Sequence, residues 1–119
     1  MAHILVADDN ADQIAMHRKL LETFGYKVST ARSPVEALSE LERNRPDLAV
    51  VDLRIPSTSD GLALIRGIRE RDPKILLIVF SGWPDDLYGS PEESFVSRVV
   101  LKGTVQDLLK AIAELLAQN

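Results

Sequence analysis

Leu48-Ala49-Val50-Val51-Asp52-Leu53-Arg54 decides the fold: four apolar residues run without a polar interruption and end on a carboxylate. A strand with one wet face would alternate polar and apolar residues. An unbroken run fits a strand covered on both faces, as in a parallel sheet between helices. Ile4 to Ala7, Ile75 to Phe80 and Val99 to Leu101 repeat the pattern, and each is followed by polar residues. These are the expected central strands. Lys27 to Ala31 alternates around Val28 and Thr30 and suits a sheet edge.

The segments between these runs carry helical spacing and helix start signals. Asn10 can cap a first helix with Ile14, Leu20, Leu21 and Phe24 on its apolar stripe, ending near Gly25. Ser33-Pro34-Val35-Glu36 offers a hydroxyl cap, a proline at the first helical position and a glutamate placed to close a capping box. Asp60 is expected to open a third helix carrying Leu62, Ile65 and Ile68. Thr104 is expected to open the last, carrying Leu108, Ile112 and Leu115. Alternating strands and helices predict a doubly wound α/β fold with right-handed crossovers, in which ligands sit beyond the carboxyl ends of the strands.

Bulk properties narrow the function. At 119 residues, with 45% hydrophobic and 27% charged residues, the chain is expected to form one domain over 1–119 with one core. A net charge of −4 advertises no basic face for nucleic acid or anionic lipid. The absence of cysteine excludes disulfides, thiolate metal sites and thiol nucleophiles. MAHILVADDN has too short an apolar run for a signal peptide or membrane span, so a cytoplasmic location is expected.

The polar residues after the central runs are Asp8 and Asp9, then Asp52, Ser81 and Lys102. In a parallel sheet these five converge on one edge. Three carboxylates and one ammonium sum to −2, and a shared crevice is more favourable when a divalent cation joins them. Oxygen ligands without His or Cys favour a hard cation, and Mg²⁺ takes few protein ligands while keeping several waters. With such an ion neutralising phosphoryl oxygens, Asp52 can act as nucleophile. Ser81 and Lys102 would supply a hydroxyl and a positive charge for the transferred group.

Across almost its whole length the chain resembles the response-regulator receiver domains, the CheY-like family. The matching pieces are ILVADDN, GYKVSTA, DLAVVDLRIP, IVFSG and VVLKG, in order and near the family spacing. The resemblance implies a (βα)5 flavodoxin-like sandwich with strand order 2-1-3-4-5. It implies that Asp52 accepts a phosphoryl group, that Asp9 ligates Mg²⁺ directly and Asp8 through a water, and that the Arg54 backbone carbonyl is a further ligand. Ser81 matches the family's switch hydroxyl and Lys102 its phosphoryl-contacting lysine. The implied donor is a phosphohistidine on a sensor histidine kinase or phosphotransfer protein, with Mg²⁺-dependent self-phosphorylation and self-dephosphorylation. A monomer or weak dimer is expected.

Several positions depart from the family pattern. Val99 stands where an aromatic usually rotates, so a switch that depends on a ring cannot operate as written. Gly103 replaces the usual proline after the lysine, which removes the main reason to expect a cis peptide there. The loop Pro56-Ser57-Thr58-Ser59-Asp60-Gly61 has one residue more than the common pattern. Arg54 and Trp83 occupy positions that modulate hydrolysis in the family. A continuous helix from Trp83 to Ser97 would have to contain Gly89 and Pro91, so a break is expected. A short helix would start at the capping box Ser90-Pro91-Glu92-Glu93, after a loop or single turn around Asp85 to Tyr88.

Blander readings stand beside these. Asp8-Asp9 alone suits a solvated helix start, Asp52 an Asx-turn, Ser81 a hydroxyl bonded to nearby backbone, and Lys102 a snorkelling side chain. His17 falls within the first helix's apolar stripe and reads as a packed histidine, not a phosphoacceptor; His3 has no identifiable partner. Trp83 and Phe95 suit either packing or a partner surface. Two other functions fit the same residues: a receiver-fold binding module that signals without phosphorylation, and a metal-dependent phosphohydrolase, which would need a substrate pocket and a base.

Overall fold

The structure, a computed structural model, describes residues 1–118. Five parallel strands, β1 (His3–Ala7), β2 (Lys27–Ala31), β3 (Leu48–Val51), β4 (Leu76–Ser81) and β5 (Arg98–Leu101), form one sheet in the order β2-β1-β3-β4-β5. Four helices, α1 (Ala11–Thr23), α2 (Pro34–Asn44), α3 (Thr58–Arg71) and α4 (Val105–Ala117), connect or follow them. This is the expected doubly wound order, with β2 at an edge. β3 is buried throughout because it lies between β1 and β4. No helix among the described residues is long and apolar enough to cross a membrane.

The alternation of each strand's side chains divides the core in two. Leu5, Ala7, Ala49, Val51, Leu77 and Val79 pack with α2 and α3 through Ala37, Leu41, Leu64 and Ile68. Ile4, Val6, Val50, Ile78 and Phe80 pack with α1 and α4 through Leu21, Leu108, Ile112 and Leu115. The apolar runs lack polar alternation because both faces are covered. His17 is buried on the second side, with its ring edge-on to Phe80 at 5.4 Å between centroids. Burial lowers its pKa, with Lys102 adding in the same direction and Asp8 opposing.

The helix starts follow the sequence with informative corrections. Asn10 Oδ1 accepts from the Asp12 and Gln13 amides, as a cap should, and Gly25 at φ +92° follows the end of α1. Ser33 Oγ accepts from the Glu36 amide, but Glu36 reaches back to the Arg32 amide, one residue beyond the box position. Asp60 does not open α3. Ser57 is the cap: it accepts from the Asp60 amide and donates to Asp60 Oδ2, so the helix starts at Thr58 and absorbs part of the loop read as long. Thr104 precedes α4 without a side-chain cap bond. His3, expected to lack a partner, has Nε2 2.6 Å from Ser29 Oγ on β2, and its amide donates to Asp47.

The expected break between Trp83 and Ser97 is present. Two short 3₁₀ turns, Pro84–Asp86 and Pro91–Phe95, stand in place of a helix, with Gly89 at φ +82° between them. The box at Ser90 does not close: its hydroxyl donates to the Leu87 carbonyl, while Glu93 accepts from the Gly89 amide. α3 holds the second turn through Arg66 to Glu92 at 2.8 Å and Arg69 to the Phe95 carbonyl at 2.6 Å. Leu87 is fully buried in the first core layer, while Trp83 is 59% and Leu101 58% exposed. The cis peptide among the described residues is Ile55–Pro56, not the bond before Gly103.

α3 lies so close to the backbone after β3 that a Cβ on Gly61 would come 1.6 Å from the Leu53 carbonyl oxygen. Backbone cannot swing away as a side chain can. Gly61→Ala is expected to destabilise the fold by about 3 kcal/mol or more, read as a lower urea midpoint at unchanged m-value; an unchanged midpoint would contradict this packing.

Candidate functional site at the carboxyl edge of the sheet

Parallel pairing brings the strand ends together. Ala7 pairs with Val51, Val51 with Val79, and Ser81 with Leu101. Asp8, Asp52, Ser81 and Lys102 therefore leave neighbouring strands on one edge. Backbone bonds continue the ladder past the strands, from the Asp52 amide to the Ala7 carbonyl at 2.9 Å and from the Lys102 amide to the Ser81 carbonyl at 2.8 Å.

Lys102 Nζ is 3.1 Å from Asp8 Oδ2, 3.0 Å from Asp52 Oδ2 and 2.8 Å from Gln13 Oε1. An ammonium has three donors, and all three are used. The other carboxylate oxygens serve backbone: Asp8 Oδ1 accepts from the Asn10 amide and Asp52 Oδ1 from the Arg54 amide. Asp52 is thus an Asx-turn residue and a member of the cluster at once; the plain reading and the functional one are compatible. One oxygen from each of Asp8, Asp9 and Asp52 lies within 4.8 Å of the others. Asp8 is buried, Asp52 half-buried and Asp9 exposed.

The electrostatics are crowded. Burial pushes the Asp52 carboxyl above its ordinary value, and the nearby Asp8 charge adds to this, although Lys102 and the Arg54 amide oppose it. Burial alone would lower Lys102, but its hydrogen bonds and charge interactions with Asp52 and Asp8 outweigh this and hold it raised. The lysine has two carboxylates beside it, whereas Asp52 shares one lysine with a second acid. The ammonium is secure and the carboxylate is not. An oxygen-only donor set with surplus negative charge fits a hard divalent cation.

Ser81 is fully buried, and its hydroxyl accepts from the Trp83 amide at 2.9 Å. Trp83 is stacked beneath the Arg54 guanidinium, 4.7 Å from carbon to ring centroid. Arg54 also donates to Asp86 Oδ2 from Nε at 3.0 Å and Nη2 at 2.9 Å. The same oxygen accepts from Thr58 at 2.9 Å. Hydrogen bonds from Arg54 and Thr58 lower the Asp86 pKa. Phe95, by contrast, packs against the first core layer. Val99 lies there too, two residues before exposed Leu101 on the same strand. Gln13 and Asp86 were not singled out in the sequence. Helical phase from the Asn10 cap points Gln13 toward the site, whereas the expected turn around Asp85 to Tyr88 does not by itself fix where the Asp86 carboxylate lies.

The fold and the acidic edge together define a flavodoxin-like α/β protein with an oxygen-rich cation-type site at its strand ends. Residues 4–114 match the response regulator receiver domain model, and the chain belongs to that family. Among curated proteins it is similar to the virulence transcriptional regulatory protein PhoP of Salmonella typhimurium, 36% identical over 104 residues, 82% of this chain and 46% of that protein. It thus spans about half the length of that relative. A receiver domain protein from Clostridium thermocellum has a TM-score of 0.85 at 28% identity, covering 96% of this chain and 93% of that one. TrrA of Thermotoga maritima, solved in complex with the histidine kinase ThkA, has a TM-score of 0.85 at 25% identity, covering 98% of this chain and 99% of that one. The same protein solved with Mg²⁺ and BeF, at 24% identity, TM-score 0.84 and coverage of 96% and 97%, is a likeness of fold.

The raised Asp52 value has a definite sign for stability. The folded state holds this proton more tightly than the unfolded chain, so Asp52 ionisation subtracts stability as pH rises from the unfolded value through the folded one. In metal-free buffer Asp52→Asn is expected to be more stable than wild type near about pH 7, with a smaller difference near about pH 4. Urea midpoints in chelator would check this, and a variant less stable at neutral pH would contradict the charge crowding.

Proposed function

We propose that residues 1–119 form a single receiver unit that accepts a phosphoryl group on Asp52 from a phosphohistidine and thereby changes partner binding. The observation that carries this is the Asp52 carboxylate, held at a strand end 3.0 Å from Lys102 Nζ and clustered with Asp8 and Asp9. In the transfer, an Asp52 carboxylate oxygen bonds to phosphorus as the phosphorus–nitrogen bond of the donor breaks, and the imidazole leaves. Lys102 contacts the transferred group, and the Ser81 hydroxyl turns from the Trp83 amide to donate to it. Mg²⁺, when bound, neutralises the charge on the phosphoryl oxygens. Asp9 and Asp52 would hold it directly, Asp8 through water, with the Arg54 carbonyl as a further ligand.

The same reading assigns the partner and compartment. The donor is a sensor histidine kinase or phosphotransfer protein, supported by the TrrA–ThkA complex of a structural relative. Such a donor places the unit in the cytoplasm. It acts as a monomer or weak dimer, and its net charge of −4 supports a role without direct nucleic-acid contact. Self-dephosphorylation by water attack at phosphorus regenerates Asp52 and releases inorganic phosphate. Arg54 and Trp83 at the rim modulate that step, and Val99 leaves the surface change without an aromatic rotor.

Intact mass after incubation with acetyl phosphate and Mg²⁺ tests this reading. The wild type is expected to gain one phosphoryl group, and Asp52→Asn or chelator to abolish the gain. An unlabelled wild type beside a labelled control receiver would instead support a binding module that signals without phosphorylation.

A further inference from the structure

Arg54 joins three parts of the molecule. Its backbone amide bonds Asp52, its guanidinium covers the ring of Trp83, and its Nε and Nη2 both bond Asp86 on the first 3₁₀ turn. Trp83 in turn donates its amide to Ser81 Oγ. Arg54 and Trp83 therefore span the gap between the ends of β3 and β4, directly beside the proposed phosphoryl position. Asp86 and Thr58 hold this arrangement from the outer side through one carboxylate oxygen.

The strength of that hold matters. The Arg54 and Asp86 side chains are 45% and 31% exposed, and ion pairs of that exposure are weak. A phosphoryl group on Asp52 would bring additional negative charge and several strong acceptor oxygens close to the same guanidinium. The two groups then compete for one guanidinium, whose Nε–Nη2 edge is turned to Asp86 in the unphosphorylated protein. The segment is also built to yield locally: Leu87 is fully buried, the second turn is tied to α3 by Arg66 and Arg69, and Gly89 at φ +82° separates the turns. Residues 83–86 are left with Asp86 as their polar tether to the β3–α3 region.

We propose that Asp86 is a positioning residue and latch: it holds the Arg54 guanidinium in the unphosphorylated protein and yields it to the phosphoryl group, freeing Trp83 to Asp86 to move. This rests on the reading of Asp52 as phosphoacceptor and deepens it. It gives the signal an exit through the exposed surface of Trp83 in a chain whose residue 99 carries no ring. Leu87 serves as the pivot, so the change stays within the first turn and the second remains docked.

The test uses the whole chain as wild type, Asp86→Asn, Asp86→Glu, Arg54→Gln and the Arg54→Gln/Asp86→Asn double variant. Each is measured before and after treatment with acetyl phosphate and Mg²⁺, with intact mass taken on the same samples. Emission from Trp83, the single tryptophan, and hydrogen exchange of the Asp86 and Leu87 amides are the readouts. These amides bond the Trp83 and Pro84 carbonyls at 3.2 and 3.0 Å. In labelled wild type, emission is expected to change and exchange to quicken by about fivefold to tenfold. Unphosphorylated Asp86→Asn should already show both changes, gain little on labelling, and still accept the phosphoryl group. Asp86→Glu should restore the wild-type response, and the double variant should do no more than either single one, because both break the same contact.

Labelled wild type with unchanged emission and exchange would overturn the latch, as would Asp86→Asn that keeps the full wild-type response. Failure of wild type to take the label would overturn the phosphoacceptor reading instead. The unphosphorylated comparison would still decide the other half: Asp86→Asn indistinguishable from wild type would show that Asp86 does not hold the turn.

Discussion

The Lys102 ammonium between Asp8 and Asp52 is the contact on which the site depends. Two acids at adjacent strand ends repel one another, and burial makes the repulsion more costly. One lysine shared between them reduces the cost without removing it, which is why the Lys102 pKa is raised while the Asp52 carboxyl remains raised as well. Asp9 adds a third acid at the exposed rim. The arrangement is two positive charges short, and that deficit favours a divalent cation in the crevice.

The sheet exists in the form needed to create this crowding. Parallel pairing puts every strand's carboxyl end on one side, and right-handed crossovers place helices on both faces, so polar groups accumulate at the edge alone. Residues 8, 52 and 102 meet although long stretches of chain separate them. The core supports this: β3 carries Asp52 from a fully buried run, and Gly61 lets α3 approach the backbone just beyond it. Gln13 takes the third donor of the lysine from α1, tying that helix to β5 through the site.

Much of this was legible in the sequence because it depends on pattern. Unbroken apolar runs marked the strands, and the residue after each run marked the site. Asn10, Ser33, Gly89 and Pro91 fixed helix starts and a break through backbone chemistry that needs little tertiary context. What escaped was set by side-chain reach. Ser57 took the cap from Asp60 by a reciprocal bond, Glu36 and Glu93 each turned to the amide one residue before the one expected, and His3 found Ser29 across two paired strands. The Arg54–Asp86 pair could not be foreseen, since it depends on where an irregular turn places one carboxylate. The broken helix was readable; the contact it made possible was not.

The central claim is that three carboxylates and one lysine form a site short of one cation. Calorimetric titration of Mg²⁺ into the unphosphorylated chain addresses it without reliance on any donor or partner. The account predicts one Mg²⁺ per chain, with Asp9→Asn weakening binding by about tenfold or more while leaving the fold intact by circular dichroism. A wild type that takes up no Mg²⁺, or Asp9→Asn that binds it as well as wild type, would contradict the account.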